Sequence, residues 1–522
     1  MHQYQETTMK PLLRRTALAT GLLLALTAAA AQAEDLRISM YADITGLDPH
    51  DTSDNISYSV QSGIFERLFQ LDAQMKLTPW LATGYTSNED ATQFTLTLRQ
   101  GVTFQDGTPF NAEAVKANLD RLADQSKGLK RNSLYRMIKT VTVLAADKVQ
   151  IDLNQSFGAF INTLAHPSAV MWSPAILSQY PQEAQLRLHP VGTGPFRFVA
   201  WQPGKTVTLA KYDKYWKTGW PKVDKVIFSP SPEDATRVAA LKSGQVDAIY
   251  PLPSDLIGTV QSDAKLAIQR DPSIYLYYMA INTQHKALAD VRVRQAINYA
   301  IDRALWLKVG FAGMGTPARS AMPAGVQFYQ AQSEPNYRYA PDEAKKLLQA
   351  AGYGQGLDLK LWCTNATASI RAAQFLKAQL ATVGIRVTVT PMDSGTRNAK
   401  LWGVKDPKQA EFDLYYGGWS TSTGDADWAL RPLYATESWV PTSYNVSYYS
   451  NPAVDKAIAG GLATADPAKR AAAYAEAQRL LWKDAPVAFL GTPDNVVGKR
   501  KGLNGVSMLP DGNLLFTQAA FE

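Results

Sequence analysis

The chain has 522 residues, of which 46% are hydrophobic, 10% aromatic and 19% charged, a balance that excludes a disordered or collagen-like polymer. Its length predicts two to four compact units, each large enough to bury a core. The formal charge of +7 falls to +5 once the first 33 residues are set aside, leaving 50 basic and 45 acidic residues so scattered that nucleic acid is excluded as a ligand.

Residues 9–33 combine a positive start (Lys10, Arg14, Arg15), an apolar run from Ala17 to Ala30 and the small-x-small ending Ala31-Gln32-Ala33. That grammar predicts a cleavable secretory signal over residues 1–33, with Met9 as a second possible start. No cysteine stands near the cleavage point to receive a lipid, and no later apolar run approaches the roughly 20 residues needed to cross a bilayer. A soluble periplasmic protein is expected.

Residues 76–185 favour short strands and turns, with Phe94 to Leu98 and Val141 to Leu153 as strand-like runs and one helix near Ala112 to Leu122. They predict a small α+β unit. Phe196 to Trp201 and Thr206 to Leu209 flank Gln202-Pro203-Gly204-Lys205 and read as a hairpin. Two later segments share a strand, helix, strand grammar. In the first, Val223 to Phe228 leads to a helix opened by Ser231 and Pro232 and stopped by Gly244, then Val246 to Tyr250. In the second, Leu357 to Trp362 leads to a helix over Ala368 to Val383, Gly384 as its stop, and Ile385 to Thr390. Each strand pair should be parallel with a right-handed crossover, and their wide separation predicts two α/β lobes. Helices are also expected over Val291 to Ile301, Leu305 to Val309, Pro341 to Ala351 and Pro467 to Trp482, before the apolar run Pro486 to Leu490.

Several chemical motifs fail their tests. Gly204-Lys205-Thr206 lacks the upstream glycine of a phosphate loop, having Val199 there, and Gly192-Thr193-Gly194-Pro195 lacks the spacing of a dinucleotide fingerprint. The four histidines after the leader, His50, His166, His189 and His285, form no paired metal-ligand pattern, and no G-x-S-x-G elbow occurs. Cys363 is the only cysteine, so no internal disulfide can form, and its place at a strand end reads as core packing. No metal or cofactor is expected. The 12 Trp and 24 Tyr concentrate in part around Tyr415 to Trp428, where the strand-like Tyr415-Tyr416-Gly417-Gly418-Trp419 runs into a Ser/Thr/Gly/Asp loop. A strand end of that kind suits a binding cleft, with the glycines admitting a ligand to the backbone.

Leu47-Asp48-Pro49, Phe104 to Gly107 with Phe110-Asn111-Ala112, Pro190 to Pro195, Lys214-Tyr215-Trp216, Val293 to Ala300 and Tyr448 to Pro452 together resemble the peptide-type solute-binding proteins of bacterial ABC importers. Leu129 to Tyr135, Ala159 to Pro167 and Gly418 to Leu430 look most like the glutathione-binding branch of that family. Peptide binders of the family commonly carry an Asp three residues after the Trp of the Gly-Trp pair, and here that position is Ser422.

The resemblance implies a two-lobed α/β periplasmic binding protein fold with an extra α+β subdomain in the first lobe. Residues 34–75, 186–280 and 488–522 would form lobe I, 76–185 its subdomain and 281–487 lobe II, with hinges at Ala280 to Asn282 and Phe489 to Thr492. Ligand would be enclosed as the lobes close. It would be handed to transmembrane permease subunits by a monomer that performs no catalysis and binds no nucleic acid. Arg131 and Arg397 would hold the ligand carboxylates and Asp427 or Asp425 its ammonium, and Trp419 would pack on it. Thr45 to Leu47, with Thr45 and Leu47 at its ends, and Gly418 to Ser420 would offer backbone groups, with Ser422 nearby. Arg397 also reads as a solvated helix charge and Asp427 as a helix cap. Dipeptide, oligopeptide or nickel-chelate binding are the alternatives within the family, and an exported hydrolase is the alternative outside it.

Overall fold

The computed structural model describes residues 35–404 and 406–522, so the expected leader lies outside the described residues. Leu36, Ile38 and Met40 alternate inward along Leu36–Met40, the strand at the centre of a seven-stranded sheet. It runs parallel to both Lys225–Pro230 and Ala248–Tyr250, which are joined by helix Asp234–Lys242 and a left-handed Gly244. The first predicted strand, helix, strand unit is thus present, with an N-terminal strand inserted between its two parallel members. The predicted hairpin, Phe196–Gln202 with Thr206–Lys211, forms one edge of this sheet.

A second, six-stranded sheet has the order Gly315–Pro317, Val487–Pro493, Tyr275–Ile281, Leu414–Ser420, Leu357–Thr364, Ile385–Met392. Its last two strands are direct parallel neighbours, connected by helix Thr367–Ala381. Leu359, Leu361 and Cys363 face that helix's buried Ala372, Leu376 and Leu380 in one apolar cluster, so Cys363 is core packing. The small unit is a four-stranded antiparallel sheet, Ala82–Ser87, Gln93–Leu98, Lys148–Leu153 and Ile138–Ala145, with helix Ala112–Ala123. The stretch Val141 to Leu153, expected to hold short strands and turns, is a hairpin.

The chain changes sheet twice. Leu266–Asp271 pairs with Asn495–Arg500 in the first sheet, and Tyr275–Ile281 pairs with Val487–Pro493 in the second, so one antiparallel ribbon passes between them. The changeover lies at residues 272–274 and at Asp494. The expected hinges, Ala280 to Asn282 and Phe489 to Thr492, instead fall at the end of Tyr275–Ile281 and within Val487–Pro493 of the second sheet. Those runs are apolar because they are central, buried strands, whereas the crossing is marked by Pro272, Ser273 and the Arg270–Asp494 ion pair.

Leu47-Asp48-Pro49 fastens the small unit to the first sheet. Asp48 accepts hydrogen bonds from Arg121 Nη2 at 2.6 Å, Trp172 Nε1 at 3.2 Å and His50 N at 3.0 Å, all in buried surroundings. Arg121 Nη1 also donates to His50 Nδ1 at 2.5 Å, which fixes a neutral ring whose Nε2 donates to Val170 O at 3.1 Å. Burial, reinforced by the Arg121 charge, lowers the His50 pKa to about 4. An unfolded chain binds this proton near pH 6.5, so between 6.5 and 4 the unfolded state takes up more protons and stability falls as pH falls. Urea unfolding at pH 5 is expected to give a free energy about 2 kcal/mol below that at pH 7 from this group. His50→Gln is expected to flatten the slope, and an unchanged slope would refute the assignment.

Candidate functional site

A cavity of about 630 Å³ lies between the small unit and the second lobe. Leu134 and Arg136 border it from the segment around the short helix Asn132–Leu134. Across from them stand Trp402, at the end of helix Ser394–Trp402, Trp428, in helix Ala426–Tyr434, and Tyr444. Asp393 caps the first of these helices through Thr396 N at 2.9 Å, and Asp425 caps the second through Asp427 N at 2.9 Å, so local capping sets where both Trp side chains project.

The lobes touch on both flanks of the gap. On one, Gly158 N donates to Leu462 O at 2.8 Å and Asn162 Nδ2 to Thr423 O at 3.2 Å. On the other, Arg371 grips both oxygens of Asp255 at 2.8 Å.

Arg131, two residues before the lining Ser133, donates through Nε to Thr52 O at 2.9 Å and Tyr58 OH at 2.8 Å, with its guanidinium 5.7 Å from the Tyr58 ring centre. Arg397 lies 5.2 Å from the Trp402 ring centre and donates to Asn398 Oδ1 at 2.6 and 3.0 Å. It also bonds Tyr415, whose phenol is raised by burial and drawn back by this guanidinium. Trp419 donates Nε1 to Trp428 O at 2.7 Å, and its ring sits 5.4 Å from Trp428 and 4.9 Å from Tyr444. Ser420 Oγ donates to Asp511 O at 3.4 Å, where the second lobe meets the first. Thr45 is exposed and donates Oγ1 to Asp54 Oδ2 at 2.5 Å. Ser422 sits in a turn closed by Gly424 N to Thr421 O at 2.7 Å, without a carboxylate in its place.

Three expectations need correction. Leu47 is 2% exposed and belongs to the first lobe's core, because its side chain turns inward beside the Asp48 network. Asp425 is wholly buried and accepts from Arg470 Nη2 at 2.8 and 2.9 Å, while Asp427 takes a two-point grip from Arg431 at 2.8 Å. Both acids are spent on internal arginines, and the helix cap is Asp425 rather than Asp427. The glycines also serve differently: a Cβ on Gly417 or Gly418 would strike the Tyr415 or Tyr275 ring, so these positions admit tyrosines against the strand.

Arg136, Glu437, Trp402 and Tyr444 were missed by the sequence reading although all four line the cavity. The one local signal was Tyr444, an aromatic within the polar run Pro441-Thr442-Ser443, which is 40% exposed. Among the described residues, none of Arg131, Arg136 and Arg397 is ion-paired with a carboxylate, and Glu437 is paired with no cation. Among the described residues no cluster of His, Cys, Asp or Glu is placed to hold a metal and no helix is long and apolar enough to cross a membrane.

Two α/β lobes joined by a crossing ribbon, with an aromatic and charged gap between them, define a periplasmic binding protein. Residues 76–440 match the family model of bacterial extracellular solute-binding proteins, family 5 Middle. The glutathione-binding protein GsiB of Pectobacterium atrosepticum is 41% identical over 508 residues, spanning 97% of this chain and 98% of that protein. GsiB of Escherichia coli O157:H7 is 39% identical over 506 residues, with the same shares. Among solved structures, HbpA2 from Haemophilus parasuis matches with a TM-score of 0.81 at 25% identity, covering 94% of this chain and all of that one. CtaP from Listeria monocytogenes, at 22% identity, shares the fold with a TM-score of 0.85 over 94% of this chain and 99% of its own. The chain belongs to the bacterial extracellular solute-binding proteins of family 5.

Removing one partner of a buried ion pair strands the other charge. Arg470→Met is therefore expected to cost about 3–5 kcal/mol in urea unfolding, and a loss below 1 kcal/mol would contradict the pairing with Asp425. A Cβ on Gly158 would run into the Thr464 carbonyl oxygen. Gly158→Ala is expected to part the small unit from the second lobe, read as a larger radius of gyration in small-angle scattering.

Proposed function

We propose that this protein is the periplasmic solute-binding subunit of an ABC importer and that its ligand is glutathione. Near neutral pH glutathione carries two carboxylates and one ammonium, a net charge of about −1 from ordinary group pKa values. The observation that carries the reading is the charge pattern around the cavity: Arg136 in the lining, Arg131 two residues before the lining Ser133 and Arg397 against the lining Trp402 lack carboxylate partners among the described residues, and Glu437 is the lining acid without a salt bridge, Asp427 being held by Arg431. Arg131 and Arg397 hold the two carboxylates through planar, two-point hydrogen bonds, with Arg136 adding positive charge. Glu437 receives the ammonium, replacing Asp425 and Asp427 in that role. Trp419 supports the aromatic wall, and backbone at Thr45 and at Gly418 to Ser420 pairs with ligand amides, beside Ser422.

The 39–41% identity to GsiB proteins over nearly the full length supports this ligand above a dipeptide or nickel chelate. The Ser at position 422 argues in the same direction. The first lobe takes residues 34–75, 186–273 and 494–522, the subdomain 76–185 and the second lobe 274–493. Residues 1–33 are removed on export, and the mature protein acts as a monomer.

Ligand touching both lobes stabilises the closed arrangement, and the permease recognises that form. No bond of the ligand is made or broken, so mass spectrometry after long incubation should return glutathione intact. Calorimetry is expected to give one site per chain, with Arg131→Ala and Arg397→Ala each weakening binding at least tenfold, about 1.4 kcal/mol. If both variants keep full affinity, the carboxylate assignments are wrong. A dipeptide or nickel-histidine mixture binding in place of glutathione would overturn the ligand.

A further inference from the structure

Glutathione's charges lie toward its two ends, and its centre presents only a small cysteine side chain. The cavity presents more aromatic surface than a thiol requires, with Trp402, Trp428 and Tyr444 in its lining. Trp402 and Tyr444 meet edge to face at 6.2 Å, while Tyr444 and Trp419 at 4.9 Å and Trp419 and Trp428 at 5.4 Å are tilted, so four rings form one continuous wall on the second lobe. Leu134 and Met137 face it from the small unit. At about 630 Å³, with the lobes already in contact, the space sits in the middle of the roughly 300–1,000 Å³ range of drug-sized sites. Tyr444 remains 40% exposed, leaving ring surface for a ligand to cover.

We infer that this cavity accepts glutathione bearing an apolar or aromatic group on its sulfur, the charged ends being held as for the free tripeptide and the substituent lying on the Trp402–Tyr444–Trp428 wall. The inference rests on the glutathione reading above. A thioether has no S–H to donate, so substitution removes a weak polar group and adds surface that the wall buries.

The test is calorimetric titration of the mature protein with reduced glutathione, S-methylglutathione and S-benzylglutathione. S-benzylglutathione is expected to bind at least threefold more tightly than glutathione, with the S-methyl form between them. In Tyr444→Ser, a change at a half-exposed position that leaves the core untouched, the ratio of S-benzyl to glutathione affinity is expected to fall to one or below. Tight binding of glutathione with S-benzyl binding tenfold weaker would overturn the inference while leaving the tripeptide reading in place. An unchanged ratio in the variant would also overturn it. Failure of all three ligands to bind would remove the reading on which it stands.

Discussion

The antiparallel ribbon that runs from one sheet into the other constrains everything else in the molecule. Because Leu266–Asp271 with Asn495–Arg500 and Tyr275–Ile281 with Val487–Pro493 are hydrogen-bonded on both sides of the changeover, the lobes cannot shear past one another without breaking ladders. Bending at residues 272–274 and at Asp494 is the inexpensive motion. On either side of that bend the lobes meet through Arg371 and Asp255 and through Thr423 and Leu462 against Asn162 and Gly158.

The second-lobe wall owes its shape to acids paired with internal arginines. Asp425 clasped by Arg470, and Asp427 by Arg431, pin the loop after Trp419 and the first turn of the next helix. Each pair cancels internally, so the lining charges without a salt bridge among the described residues are Arg136 and Glu437, with Arg397 against the lining Trp402.

Features carried by short-range pattern were readable from the sequence. Alternation over Leu357 to Cys363, helical spacing to Leu380 and the Gly384 stop define a parallel unit that needs no distant information, and the Gln202 to Lys205 turn is equally local. What escaped depended on residues far apart. The insertion of Leu36–Met40 between two strands nearly 200 residues later has no local signature, and neither does the partnership of Asp425 with Arg470. The Asp427–Arg431 pair was different: its i,i+4 spacing was in plain view and argued against a ligand role for Asp427. Apolar runs misplaced the hinge because burial in a central strand and passage between lobes leave the same hydrophobic trace. Of the proposed carboxylate holders only Arg131 stands in a quoted motif, whereas Arg397, Glu437 and Trp402 lie outside those motifs, and the last two needed three-dimensional proximity to be seen.

Cys363 leaves the fold without a reactive thiol. It is the sole sulfhydryl of the chain, it is inaccessible to solvent, and burial pushes its pKa to about 11, so scarcely any nucleophilic thiolate exists at neutral pH. In an oxidising compartment, a carrier with a reactive cysteine would trade sulfurs with a thiol or disulfide passenger and trap it as a mixed disulfide. This molecule has no sulfur able to make that exchange, so what it holds by charge and aromatic surface it can also let go.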